Sequence, residues 1–181
     1  MEPYSDNALM QQVKSGNPDK LGLLYERYNK ILFGFFYRLT GNGGTSEDLV
    51  HNVFLRILKY RDKFRNEGKF STWMFHIAHN IYADYYKKDK RMGYREEITE
   101  DNPGETLTID EDVEKDEQVT IMKKALQRLS DEYREVLVLS RYHEMKYREI
   151  ADVLNLTESA VKVRVFRAIK ELKKIYSQME S

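Results

Sequence analysis

In the first half of the chain, apolar residues recur at three- and four-residue spacing. Leu24, Tyr28, Leu32, Phe35, Phe36 and Leu39 fall on one helical face. The run stops at Gly41-Asn42-Gly43-Gly44, residues that break a helix. Thr45 and Ser46 are expected caps for the next helix, with Glu47 and Asp48 in its first turn, where negative charge suits the helix dipole. Val50, Val53, Phe54, Ile57 and Leu58 make its apolar face. Arg65 to Lys69 reads as a loop. Ser71 or Thr72 is expected to cap a long helix reaching about Lys88, with Met74, Ile77, Ala78, Ile81 and Tyr85 inward. No segment alternates as a convincing strand would.

Helical spacing returns at Ile121 to Leu129. Ser130-Asp131-Glu132 opens another helix, carrying Val136, Leu137 and Leu139. Two more follow, Tyr147 to Leu154 and Thr157 to about Ile175, split by a short turn. Between the two helical blocks, EEITEDNPGETLTIDEDVEKDEQ has no apolar period, contains Pro103 and Gly104, and repels itself. Such a segment buries too little to offset its ordering entropy, and it is expected to be a linker. The fold class is therefore all-α: two small helical domains, 1–95 and 121–181, joined by an acidic flexible linker, 96–120.

The richest local signal is YREIADVLNLTESAVKVRVFRAIKELKK, from Tyr147 to Lys174. Ile150, Ala151 and Leu154 form an inner face, with Ala151 small where another helix must approach. Asn155 tolerates the left-handed conformation that ends a helix, and Thr157 can cap the next through its hydroxyl. This is the helix-turn-helix plan, whose second helix enters the DNA major groove. At about 100° per residue, Val161, Val165, Ala168, Ile169 and Leu172 point inward. Ser159, Val163, Phe166, Arg167, Lys170 and Lys174 point outward, flanked by Lys162 and Arg164. Arginine can read guanine, an apolar group can touch a thymine methyl, and lysine neutralises phosphate. An ordinary amphipathic hairpin with a solvated basic face would share the spacing but has no need of the caps, the small residue and the turn together.

On the helix from Trp73 to Lys87, a second stripe lies opposite the core: Trp73, His76, Asn80, Ala83 and Lys87. An aromatic plate, an imidazole, an amide and a cation in a row could stack and hold an unpaired base. The neighbouring row, Phe75, His79, Tyr82 and Tyr86, suits packing against another helix. On the helix from Glu47 to Lys59, the face away from the core carries Asp48, His51, Asn52, Leu55, Arg56 and Lys59. An exposed Leu55 among charges resembles a protein interface.

Composition changes this picture in one respect. The net charge is +0 overall, but it runs +6 over residues 1–95, −10 over 96–120 and +4 over 121–181, so neutrality does not argue against nucleic-acid binding. The chain has no cysteine, which removes disulfides and thiolate metal sites and fits a reducing cytosol. No signal peptide is read at the N-terminus, and Ile31 to Tyr37 is too short to span a bilayer. His51, His76, His79 and Asp84 could be drawn together as metal ligands, but helical angles set His76 and His79 about 60° apart and turn Asp84 elsewhere. No phosphate loop, serine elbow or supported nucleophile–base pair is present. No enzyme, metal or cofactor is expected. A stand-alone repressor or activator would explain the helix-turn-helix but not the Trp73 stripe.

At this point the chain resembles the extracytoplasmic-function (ECF) group of bacterial RNA polymerase sigma factors. EDLVHNVFLRILKYRDKF, Glu47 to Phe64, is similar to that family's polymerase-binding helix. GKFSTWMFHIAHNIYADYYKK, Gly68 to Lys88, is similar to its promoter-melting segment, and Leu129 to Lys174 to its upstream-promoter reader. The likeness covers roughly residues 21–90 and 121–175, in the family's order. It implies a non-enzymatic cytoplasmic initiation factor whose partners are core RNA polymerase, promoter DNA and an anti-sigma factor, with no membrane insertion. It also implies that Arg148 and Thr157 join the upstream reader and Lys69 joins the melted-element stripe. Asn80 matches an asparagine the family places near a captured base. Two departures stand out: Asn155 sits where the family usually has glycine, and Val163 where it often has a small polar residue. The second bears on which base is read, so no promoter sequence carries over.

Overall fold

The computed structural model describes residues 4–92 and 116–180. Most of the expected acidic linker lies outside the described residues. Among those residues every regular element is helical. They divide into two compact units: 4–36 with 45–92, and 37–44 with 116–180.

The first unit is built on α1 (Asp6–Lys14), α2 (Leu21–Thr40) as far as residue 36, α3 (Gly43–Lys59) from residue 45, and α4 (Phe70–Met92). The expected periodicities become its core. Leu24, Leu32, Phe35 and Phe36 of α2 are buried, as are Val50, Val53, Phe54 and Ile57 of α3 and Met74, Ile77, Ala78 and Ile81 of α4. Leu58 and Tyr85 are only half-buried. Phe35 packs edge-on against Phe36 at 5.2 Å and Phe75 at 5.4 Å. Each such ring contributes about 2–3 kcal/mol on full burial. Gly41 ends α2 at φ 69°, in the left-handed region that glycine enters without strain.

In this unit two helix starts differ from expectation, and one helix is additional. Helix α3 starts at Gly43, so Thr45 and Ser46 lie inside its first turn and Ser46 is buried. Helix α4 starts at Phe70, so Ser71 and Thr72 are not its caps; its first amide, Phe70 N–H, is taken by Asn7 Oδ1 at 2.8 Å. Helix α1 was not expected. It is capped by Ser5, whose Oγ accepts from Ala8 N–H at 3.1 Å, and it buries Leu9, Met10 and Val13.

The second unit holds α5 (Glu117–Arg128), α6 (Asp131–Leu137), a π-helical continuation Val138–Tyr142, α7 (Tyr147–Leu154) and α8 (Glu158–Glu180). Helix α8 packs on α5, α6 and α7. Helix α5 begins before Ile121, because Asp116 caps it by accepting from Gln118 N–H at 3.0 Å and Glu117 sits in its first turn. The acidic residues that suggested linker are favoured at a helix N-terminus. Buried Arg134 holds the end of α5: its guanidinium donates to the carbonyls of Leu126 (2.9 Å), Gln127 (2.6 Å) and Leu129 (2.8 Å), and to Asp131 (3.1 Å).

Candidate nucleic-acid and polymerase interfaces

Local chemistry sets the angle at which α8 is presented. Asn155 adopts φ 55°, ψ 49°, the left-handed conformation anticipated for it. Leu156 N–H then returns to Ala151 O at 2.9 Å, closing the end of α7. Thr157 Oγ1 accepts from Ala160 N–H at 3.1 Å and caps α8. Ile150, Ala151, Val153 and Leu154 of α7 meet Val161, Val165 and Ala168 of α8 in a buried seam. Ile169 and Leu172 are half-buried.

That seam leaves the opposite face of α8 in solvent. Ser159, Lys162, Val163, Phe166, Arg167, Lys170 and Lys174 are exposed, as are Arg148 on α7 and Thr157 at the turn. Val163 is 49% exposed and Phe166 70%. Arg164 is half-buried, 3.9 Å from Glu132, so its cation is turned partly toward α6. Two apolar side chains in water among lysines and arginines make a surface suited to a groove that offers both methyl groups and phosphates.

The stripe on α4 also emerges on one side. Asn80, Lys87 and, at the helix entry, Lys69 are exposed, while Trp73, His76 and Ala83 are half-buried. Asn80 Nδ2 lies 3.3 Å from His76 Nε2, so the amide and the imidazole act as one polar unit. The sequence offers Trp73 as a stacking plate opposite the core, and its position is intermediate between plate and core. Its ring meets Phe64 edge-on at 5.2 Å and Phe70 at 6.2 Å, leaving part of the indole in solvent. Phe75 and Tyr82 of the neighbouring row are buried, as packing requires.

Helix α1 grips the loop that leads into this stripe. Asn7 Nδ2 donates to Asn66 Oδ1 at 2.9 Å and to Gly68 O at 2.7 Å, besides the Phe70 bond. Lys14 Nζ donates to Phe64 O at 2.8 Å. Asp6 ties α1 to α2 through Arg27 at 2.8 Å and through the Tyr28 hydroxyl. Burial and that carboxylate hold the Tyr28 hydroxyl above its ordinary pKa.

On α3, Asp48, His51, Asn52, Leu55 and Lys59 are exposed, and Leu55 is 64% exposed. Arg56 reaches across to Asp84 of α4 at 2.9 Å, so this cation is shared with an ion pair. Tyr25 of α2, absent from the expected face, stacks on His51 at 6.4 Å and touches Phe54 at 4.9 Å. It widens the patch beside Leu55 with a ring that is 38% exposed. Among the described residues no three His, Asp or Glu side chains come together as a metal site, and no helix is long and apolar enough to cross a membrane.

The family model described as Sigma-70 region 2 matches residues 24–92, and that described as Sigma-70, region 4 matches residues 120–172. The ECF RNA polymerase sigma factor SigW of Bacillus subtilis (strain 168) is 31% identical over 175 residues, 91% of this chain and 93% of that protein. Among solved structures, CnrH in complex with the cytosolic domain of CnrY shares the fold at TM-score 0.72 and 24% identity, covering 96% of this chain and 97% of the other. The sigma factor RpoE of Bartonella quintana, in complex with the anti-sigma factor NepR, matches at TM-score 0.67 and 22% identity, covering 86% and 96%.

Proposed function

The chain belongs to the ECF group of RNA polymerase sigma factors, and on that premise we propose how its helices divide the work of initiation. As a sigma factor it directs core RNA polymerase to promoters, where transcription begins. Helix α8 reads the upstream element as duplex. Val163 and Phe166 meet thymine methyls and Arg167 a base edge, while Arg148, Lys162, Lys170 and Lys174 neutralise phosphates and Ser159, Thr157 and Arg164 fix the helix on the backbone. Helix α4 holds the separated strand. Asn80, oriented by His76, contacts an unpaired base, Trp73 offers the exposed part of its ring, Lys69 and Lys87 take phosphates, and Ala83 leaves room for the strand. The α3 face, Asp48, His51, Asn52, Leu55, Arg56 and Lys59 with Tyr25, docks on the polymerase.

The observation that supports this most is the pairing of exposed Val163 and Phe166 with cations on a capped helix-turn-helix. We assign the chain no nucleotide chemistry of its own; the polymerase supplies it, in the cytoplasm. An anti-sigma protein, as in the RpoE complex, holds the chain until it is released. The domain plan is 1–95 for polymerase docking and melting, an acidic tether from 96 to the Asp116 cap of α5, and the helices from α5 onward for duplex reading. Run-off transcription on a genomic fragment library tests the reading. Core polymerase should yield discrete transcripts only when this chain is added. Equal transcripts without it, or tight promoter binding by the chain alone, would point to a stand-alone regulator.

A further inference from the structure

We propose that α1 is a positioning element for the melted-strand site: Asn7 and Lys14 fix the loop from Phe64 to Phe70 and so set which base that site accepts. The proposal rests on α4 being the single-strand surface. Its two positioning residues, Asn7 and Lys14, precede the matched region that begins at residue 24.

The loop lies open to solvent. Arg65, Asn66, Glu67, Gly68 and Lys69 are all exposed, and a Cβ built on Gly68 would meet nothing within 4 Å. Its ends are buried rings, Phe64 and Phe70, 6.2 Å apart, and both touch Trp73. The position of the loop backbone is therefore coupled to the wall of the stripe. Three of the bonds that hold it come from one amide. Both hydrogens of Asn7 Nδ2 are used, on Asn66 and Gly68, and its Oδ1 takes Phe70 N–H. Lys14 secures Phe64 O. A side chain can position a loop only if it is itself fixed. Asn7 is fixed because α1 buries Leu9, Met10 and Val13 and is tied to α2 through Asp6, Arg27 and Tyr28.

A loop ordered before the strand arrives favours the base that fits it, because the ordering entropy is already spent. Releasing Asn7 lets the loop adapt, so affinity for the preferred base falls while affinity for the others holds. Each neutral hydrogen bond lost is worth roughly a fivefold change; with compensation by water, the three together should lower discrimination about tenfold.

The test uses the full chain reconstituted with core polymerase. Fluorescence anisotropy is read with single-stranded oligonucleotides in which each position of the melted element carries each of the four bases. Wild type should prefer one base at one position or more. Asn7→Ala should lower that preference about tenfold at one position while retaining affinity for core polymerase and for the non-preferred oligonucleotides. Asn7→Asp keeps the acceptor for Phe70 but loses both donors to the loop, so it should lose discrimination while keeping Phe70 N–H slow to exchange. Should Asn7→Ala not fold, Lys14→Met carries the same expectation through Phe64. Unchanged base preference in the folded variants overturns the proposal and leaves the α4 reading standing. A wild type without base preference overturns both.

Discussion

Phe166 offers a test in which folding and function separate. A phenylalanine side chain carries roughly 200 Å² of surface. At 70% exposure, roughly 140 Å² of that remains in water in the free protein. The ring therefore contributes little to the fold, and Phe166→Ala should change stability by less than about 0.5 kcal/mol, as surface substitutions do. If α8 lies in the major groove with this face toward the bases, about half of that exposed area is covered by DNA. At ~25 cal/mol per Å² this is worth about 1.5–2 kcal/mol, or roughly 10- to 30-fold in Kd. Anisotropy titration of holoenzyme with labelled upstream duplex reads the effect, with urea unfolding as the control. A chemical variant sharpens it. Deoxyuridine in place of thymidine removes one methyl, worth about 0.8 kcal/mol or roughly fourfold when buried. At the contacted thymine, wild type should lose that factor and Phe166→Ala should not notice. Wild-type affinity in Phe166→Ala, with no deoxyuridine effect at any position, would refute this orientation of α8.

Other residues give independent outcomes. Arg134→Met strips four carbonyls, those of Leu39, Leu126, Gln127 and Leu129, of their donor in a buried setting and should cost about 3–5 kcal/mol by urea unfolding; a loss under about 1 kcal/mol would show that water replaces it. Leu55→Asp should abolish co-purification with core polymerase while helix content by circular dichroism is kept, and undiminished capture would remove α3 as the docking face. Arg56→Glu should weaken capture too, with only a small stability loss, because its pair with Asp84 is solvent-exposed. Burial pushes the His143 pKa down from 6.5 to about 4, so the unfolded chain takes up a proton there first. That stability is complete above pH 6.5 and is lost as pH falls below it, by about 2 kcal/mol at pH 5. His143→Gln should flatten that part of the pH–stability curve, and an unchanged curve would show that other groups govern it.

The parts of this molecule that the sequence disclosed are those governed by short spacing. The left-handed Asn155, the Thr157 cap and the inward Val161, Val165 and Ala168 depend on neighbours within a few residues. Helical period alone likewise places Phe166 and Val163 in solvent. What stayed hidden depends on residues far apart in the chain. Phe70 is capped by Asn7 from another helix, which no local cap signal at Ser71 or Thr72 could reveal. Arg56 finds Asp84 only once α3 and α4 are packed. Trp73 is half-buried because Phe64 and Phe70 converge on it, and helical angle could not tell that wall from an open plate. Asp116 and Glu117 were ambiguous for another reason: acidic residues serve a solvated tether and a helix N-terminus equally well.

The division of labour between α8 and α4 is tested most directly by permanganate footprinting of holoenzyme carrying Asn80→Ala. Asn80 is exposed, and its one described side-chain contact is with His76 on its own helix, so the fold should survive the change. Duplex promoter binding should be retained, because α8 is untouched, while thymine reactivity near the start site falls. A premelted promoter should restore much of the lost transcription, since strand opening is then already done. Thymine reactivity equal to wild type on the duplex promoter would contradict the assignment, leaving the α4 stripe a solvated face and confining DNA recognition to the helix-turn-helix.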